Sequence, residues 1–582
     1  MSSSASHFLR LLTASVAISA THGALAAVNF VGTPSPAANG DFNNDGVVDS
    51  ADYTVWRDND GGSTALPNDN GLGTPIGGGH YSLWSGNYGA VGGTGSTLAF
   101  ENPLNWDPSN FDPVPVAGVE STPPGRDSIW FIDGNSEDIT VVLTDERTGE
   151  NGTEQMGTFA FGGESGTDDF NAKTTVIFNN SVTLTAIERN SSGEPTGTVS
   201  GTRPIRLGRE NINPIGTLAG GTTETAPWAI LKQTHGTLQY VPEVPANNAT
   251  IDFSRDKPNS AGALYEISGD AVLNLHGAIR LGDRDNGGSR TTPGAIFRTR
   301  GSDATVNVED YWNESRLGLW DHDNDITSDN PLGVTRMNLG KFVTEFVLDA
   351  NGASTVVVND ELRLGRSEDL EGNREFGYAF LRIKLSEPTT AGSGAVGSGD
   401  EIVLFQADRI TSAIDVDNDP QVESGEIEAG RFFDPDRAGF NSGGTAMLPH
   451  AGLWEGSKVR ADYAGAAYEW TINYFDSDDD SIVVDAVTLS DLVVTGTPGD
   501  LSGNGVLGAE DRSLLVSMIA SPPSIAIATA QNLFDLNADD AVDAMDLAAF
   551  DANFGMPAVA VPEPGALALL LLAGAAIAAC RR

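Results

Sequence analysis

Oxygen-bearing side chains recur at one fixed spacing in three stretches of the chain, and that spacing suits a hard cation. In the first, Asp41, Asn43, Asp45, Asp49 and Asp52 take positions 1, 3, 5, 9 and 12 of a loop, with Gly46 at 6 and the Val47 carbonyl at 7. In the second, Asp500, Ser502, Asn504 and Asp511 take positions 1, 3, 5 and 12 around Gly505, with Val506 at 7. In the third, Asp535, Asn537, Asp539, Asp543 and Asp546 take 1, 3, 5, 9 and 12, with Ala541 at 7. Calcium takes six to eight oxygens from such a loop, with a sharp turn at its middle. Position 6 of the third loop is Asp540 rather than glycine, which is expected to strain the turn and weaken that site. Calcium is the expected cofactor, at the ~0.1–1 mM affinities of extracellular modules.

Each loop leads into a short apolar stretch with helical spacing: Tyr53 to Arg57, Ser513 to Ala520 and Leu547 to Phe554. A worn copy follows the first loop, since Ile76 to Trp84 aligns with Val48 to Trp56. Its ligand positions hold Asp69, Gly71, Gly73, Gly77 and His80, so packing residues survive where ligands do not. One cation is expected in this N-terminal pair, with the second loop structural only. The loop-plus-helix pairs resemble dockerin type I modules over Gly40 to Gly89 and Gly499 to Gly555. That resemblance implies calcium-dependent folding and, in cellulosomes, a cohesin partner.

Both ends of the chain carry address signals. Arg10, the apolar stretch Leu11 to Ala20 and Ala24-Leu25-Ala26 read as a secretory signal peptide over residues 1–26, cut after Ala26 or Ala27. At the other end Val561-Pro562-Glu563-Pro564 precedes an apolar run, Gly565 to Cys580, and then Arg581 and Arg582. The run is short for the ~30 Å hydrocarbon core, and its arginines would stay cytoplasmic. Residues 561–582 resemble the PEP-CTERM sorting signal, which implies removal by an exosortase-type processing enzyme; the alternative is an ordinary C-terminal anchor helix. A secreted or outer-surface protein, touching the membrane only through this segment, is expected.

Composition narrows the rest. Lys and Arg number 33 against 80 Asp and Glu, a net charge of −47 that repels nucleic acid and anionic lipid and attracts divalent cations. The single cysteine, Cys580, lies in the sorting tail, so the mature chain has no disulfide. With 68 glycines and recurring Val, Ile, Leu and Phe strands, residues 96–490 read as turn-rich all-β. A tripeptide repeats there: Arg206-Leu207-Gly208, Arg280-Leu281-Gly282, Arg316-Leu317-Gly318 and Arg363-Leu364-Gly365. The last three follow alternating strands at Tyr265 to Leu275, Phe297 to Val308 and Phe346 to Val358. Such repeats suit stacked rungs of a right-handed parallel β-helix, with leucines in the core, arginines in solvent and glycine at the corner. A β-sandwich pair is the alternative. The opening, Asn105 to Phe131, and the close, Gly399 to Phe405 and Tyr468 to Tyr474, resemble autotransporter-like solenoids.

Catalytic signals are thin. Arg382-Ile383-Lys384 and Asp168-Asp169 match fragments of polygalacturonases, but the histidine most like their G-H-G element, in Leu275-His276-Gly277, stands over a hundred residues from both, and Ile383 alternates simply with Leu381 and Leu385. His235, His322 and His450 lack metal or triad spacing. Asp415, Asp417, Asp419, Glu423 and Glu426 repeat the loop spacing with Pro420 at the turn, leaving a further calcium loop or a plain acidic turn. The expected protein is thus a secreted, calcium-binding, structural or adhesive component of the surface or matrix. The alternative is a dockerin-tethered carbohydrate-active enzyme or carbohydrate-binding protein, with a cohesin-like module or a matrix polysaccharide as partner.

Overall fold

Polar turns break each expected long strand into two strands that belong to different sheets. In the computed structural model, Tyr265 to Leu275 resolves into Gly262–Ile267 and Val272–Leu281. The turn between them needs Gly269, whose φ is +59° and where a Cβ would lie 2.5 Å from the Thr234 carbonyl oxygen. The next two resolve in the same way, into Ala295–Arg300 and Thr305–Asn313, and into Phe342–Leu348 and Val356–Leu364. Alternation runs straight through these turns, so it hides them from a reading of periodicity.

The structure describes residues 28–30, 39–42, 48, 50–63, 65–87, 97–99, 128–131, 139–143, 155–156, 158–161, 173–184, 202–207, 228–240, 249–253, 262–281, 295–313, 315–316, 318–320, 336–338, 342–364, 366–370, 373–412, 431–436, 439–440, 446–447, 452–475, 485–525, 527 and 530–555. They are mostly strand, with α1 (Ser50–Asn59) and α2 (Gly78–Gly86) near one end and α3 (Ala509–Ile519) and α4 (Ala544–Phe554) near the other. The first strand of each pair joins an 11-stranded sheet, where Thr174–Phe178, Trp228–Gln233, Gly262–Ile267, Ala295–Arg300, Phe342–Leu348 and Asn373–Leu385 run parallel. The second joins a 15-stranded sheet, with Thr202–Leu207, Ala249–Phe253, Val272–Leu281, Thr305–Asn313, Val356–Leu364 and Ile402–Ser412 in parallel order. Parallel neighbours cannot be joined by tight hairpins, hence the long excursions between repeats. Val28–Phe30 pairs with Ser128–Phe131 in the same larger sheet, ahead of the first module. The far end turns antiparallel through Asp485–Thr495, Ala466–Phe475 and Lys458–Tyr463.

Between the sheets, side chains stack in register. Ile205, Ile251, Ile279, Tyr311 and Leu362 form one buried column, and Leu207, Leu281 and Leu364 of the tripeptides are likewise buried. The tripeptide arginines depart from expectation. Arg280 and Arg363 are not free in solvent but flank the Trp312 ring at 4.4 and 4.7 Å, because the strand between them presents an indole in register. Gly208, Gly282, Leu317 and Gly365 lie outside the described residues, and Gly318 opens the strand Gly318–Trp320 rather than a corner.

The 11-stranded sheet also departs from one face in, one face out. Gly262–Ile267 and Phe342–Leu348 are buried along their whole length, as strands covered on both faces must be. On the outer face Ile230, Leu264, Ile296, Val343 and Phe380 make an apolar row, against which Ile527 packs. The neighbouring row alternates in charge across five strands: Lys232, Glu266, Arg298, Glu345, Arg382. Arg298 donates to Glu345 at 2.5 Å and Glu266 at 3.0 Å, and Arg382 donates to Glu345 at 3.3 Å. Burial pushes the Glu266 carboxyl up, but Arg300, Lys232 and Arg298 outweigh it and hold it well below its ordinary value.

Candidate calcium centres

Loops 500–511 and 535–546 are built on one hydrogen-bond scheme. At position 1, Asp500 accepts from the Asn504 and Gly505 amides, and Asp535 from those of Asp539 and Asp540. At position 12, Asp511 accepts from the Ser502 and Gly508 amides, and Asp546 from those of Asn537 and Asp543. At position 5, Asn504 and Asp539 accept from the amides of Val506 and Ala541. The first and last carboxylates are thereby buried: Asp511, Asp535 and Asp546 fully, and Asp500 nearly so. Leu501, Leu515, Leu536, Val542 and Phe550 pack behind them, on the apolar face that α3 and α4 supply.

The donor chemistry fits a hard cation. Each loop offers oxygens alone, and the buried carboxylates of the second crowd one another. Burial, and after it the charges of Asp540, Asp539 and Asp546, push Asp535 up to about 7 against the pull of Lys384. Burial also raises Asp546, whereas the Gly508 and Ser502 donors overcome burial and lower Asp511. Among the described residues no three His, Cys, Asp or Glu side chains gather at metal-holding distance, so a cation here needs Ser502, Asn504, Asn537 and main-chain oxygens beside the carboxylates. One pH dependence follows. Asp535 has a folded value of about 7 against an ordinary 3.8, so the metal-free fold holds a proton that the unfolded chain has lost. Its contribution to stability is therefore full below 3.8 and is lost as pH rises through about 7. The EGTA-treated chain should melt lower at pH 7.5 than at pH 5, and a cation that took the proton's place would narrow that gap. Parallel melts with and without calcium across this window would count against it.

At the N-terminal end Asp41 and Asp52 are fully buried, beside the cluster Phe42, Leu66 and Ile76, while Asn43, Asp45, Val47 and Asp49 lie outside the described residues. The worn loop keeps the scheme with different chemistry. Asp69 accepts from the Gly71 and Gly73 amides at 2.8 Å, and the Gly73 contact first, then Gly71 and His80, hold its carboxyl below the ordinary value against burial. His80 stands at position 12 and its Nδ1 accepts from the Gly77 amide at 3.3 Å, the bond that Asp511 and Asp546 make to position 9. The other ring nitrogen, Nε2, is buried, with no hydrogen-bond partner among the described residues and 3.8 Å from Asp69 Oδ2. Histidine here removes the second carboxylate that would demand a cation. His80→Asp should destabilise residues 40–89 by ~2 kcal/mol, by setting a buried carboxylate against the partly exposed one of Asp69, and His80→Gln by less. Tryptophan fluorescence melts read both, since Trp56 donates to the Gly77 carbonyl of this loop; equal effects would contradict the assignment.

Asp540 does sit in the left-handed region, at φ +69°, but its side chain is turned out of the loop. Its oxygens accept from Arg298 and Lys384 of the body, each at 2.8 Å. Arg382-Ile383-Lys384 is therefore part of a strand whose isoleucine enters the core, whose Lys384 makes this outer contact and whose Arg382 pairs with Glu345 and Asp436. Sequence reasoning missed Glu266, Arg298, Arg300 and Glu345 altogether; the usable signal was one charged residue recurring at the same place in successive repeats. His235 pairs with Asp270 on the exposed surface at 2.5 Å, and His276 lies 3.9 Å from Glu309. Asp168, Asp169, His322, Asp415 to Glu426 and His450 lie outside the described residues, as do both terminal address segments. Among the described residues no helix is long and apolar enough to cross a membrane. No protein family, curated protein or solved structure matches the chain.

Proposed function

We infer that this chain is a secreted, calcium-binding structural or adhesive protein of the cell surface or extracellular matrix. Its body, within 96–490, is a right-handed parallel β-helix between dockerin-like modules at 40–89 and 499–555. The observation that carries the reading is the hydrogen-bond scheme shared by loops 500–511 and 535–546. Two loops of different sequence that place the same oxygens inward share a requirement, and calcium is the cation an all-oxygen set suits. Strand–turn–strand repeats feeding two parallel sheets support the β-helix. The entry of Val28–Phe30 into a sheet supports a mature chain starting near the expected cut. Residues 561–582 then act as a PEP-CTERM signal, removed by an exosortase-type enzyme after transient membrane contact, and the acidic surface makes nucleic acid no partner. A matrix polysaccharide or a cohesin-like module is the external partner.

One observation keeps the carbohydrate-active reading in play. Asp310 is pushed up to about 6 by burial and by Asp360, Glu361 and Glu309, as a general acid would be. The nearby Trp312, however, has arginines against its ring instead of an open face for a sugar, which favours the structural role. A glycan array followed by a reducing-end assay on its hits, with Asp310→Asn as control, separates the readings. Binding without turnover is the expected result; reducing ends released by the wild type and not by the variant would overturn it.

A further inference from the structure

The outer face of the 11-stranded sheet is buried, yet it carries a row of charges, and the C-terminal module lies on it. Arg298, Lys384 and Glu345 are each no more than 1% exposed. Buried cations persist only when well paired, and part of their pairing comes from outside the sheet. Asp540 takes Arg298 Nη2 on one oxygen and Lys384 Nζ on the other. Arg300, held by Glu266, donates to the Ala538 carbonyl at 2.6 Å and to that of Asn537. The Gln531 side-chain amide pairs with the end of the strand Asn373–Leu385 as a neighbouring strand's backbone would, accepting from the Leu385 amide and donating to its carbonyl.

We propose that the C-terminal module is a permanent cap on this chain's own body, with Asp540 as the plug that makes the body its partner. A loop that only has to turn at position 6 does better with glycine, as Gly505 shows in the first loop at φ +86°. An aspartate there accepts backbone strain, and its side chain is spent entirely on the body. The join is broad as well as charged. Leu501, Leu515, Leu536, Val542 and Phe550 of the module belong to the same continuous apolar core as the two sheets. Gly499 donates to the Ala464 carbonyl at 2.7 Å, and Asn553 donates to the Tyr463 hydroxyl at 3.0 Å. The body thus holds residues 537–540 in shape without a metal, while among the described residues no body side chain plugs loop 500–511 in this way. An external partner can reach the first loop and α3 but not the docked side of the second loop. This inference stands on the contacts and not on the calcium reading.

The test is hydrogen exchange and thermal melting on the full chain, comparing wild type, Asp540→Gly, Asp540→Asn and Lys384→Met, each in calcium and in EGTA. Unplugging should speed exchange on the order of 30-fold or more in residues 531–543 and in 296–300 and 381–385 together, and should lower the melting temperature. If glycine's freedom is what matters at position 540, Asp540→Gly instead leaves exchange unchanged or slower and the melt equal or higher, which overturns the proposal. Lys384→Met leaves the loop backbone untouched, so retained protection in that variant also overturns it. In wild type, EGTA should open 500–511 while 531–543 stays protected; loss of protection in both loops means that metal, not the body, holds the second. A wild-type chain in which EGTA changes neither loop counts against the calcium reading and leaves the Asp540 arms to decide the cap.

Discussion

EGTA should lower the melting midpoint of the full chain by roughly 5–15 °C relative to about 10 mM calcium. Ligand at ten to a hundred times its dissociation constant stabilises by ~1.4–2.7 kcal/mol per site, and the affinities expected of extracellular loops fall in that range. A structural cause stands behind the number. Asp500, Asp511, Asp535 and Asp546 are buried carboxyl groups whose backbone donors satisfy their hydrogen bonds but do not neutralise the charge each carries when ionised. A cation removes that charge cost in the folded state and has no comparable site in the unfolded chain. Asp500→Ala with Asp511→Ala should shrink the calcium-dependent part of the shift without abolishing it, since the second loop remains. A melt that EGTA leaves in place would remove the support for calcium in both loops.

Glu345→Ala should cost ~3–5 kcal/mol, a larger effect than any single ligand change. Glu345 is fully buried and accepts from Arg298 and Arg382, with Lys384 Nζ at 3.5 Å from the same carboxylate. Removing it leaves three buried cations to share Glu266, Asp436 and Asp540. Glu345→Gln keeps an acceptor and the volume but not the charge, so it should fall between wild type and alanine. Thermal melts of the two variants read this order. Near-equal stability of all three would mean that the alternating row is passive, carried by the apolar row beside it.

The shared spacing of the loops was visible in the sequence, and the structure gives positions 1, 5 and 12 of each C-terminal loop the same pattern of backbone hydrogen bonds. The parallel sheets were legible through the repeated leucines Leu207, Leu281 and Leu364, which share one register position in alternate strands with Phe253 and Asn313 between them. Four things were not. The turns at Gly269, Gly301 and Asp349–Gly352 keep the alternation in phase, so one strand was expected where two exist. The charged row is invisible in any single strand, because Lys232, Glu266, Arg298, Glu345 and Arg382 become neighbours only through parallel register. Asp540 read as a defect for the same reason: its value lies in Arg298 and Lys384, more than a hundred and fifty residues away. His80, read as a lost ligand, keeps the position-12 bond to the Gly77 amide with a different donor set.

The most direct test of the account is the number of calcium ions the full chain binds, measured by equilibrium dialysis or isothermal titration calorimetry. Saturable binding of three ions is expected, one each for residues 41–52, 500–511 and 535–546, at ~0.1–1 mM. Paired alanine substitutions at Asp41 and Asp52, at Asp500 and Asp511, and at Asp535 and Asp546 should each remove one. Binding that never saturates, or a count unchanged by all three pairs, would reduce the loops to acidic turns and contradict the calcium-binding modules at the centre of this account.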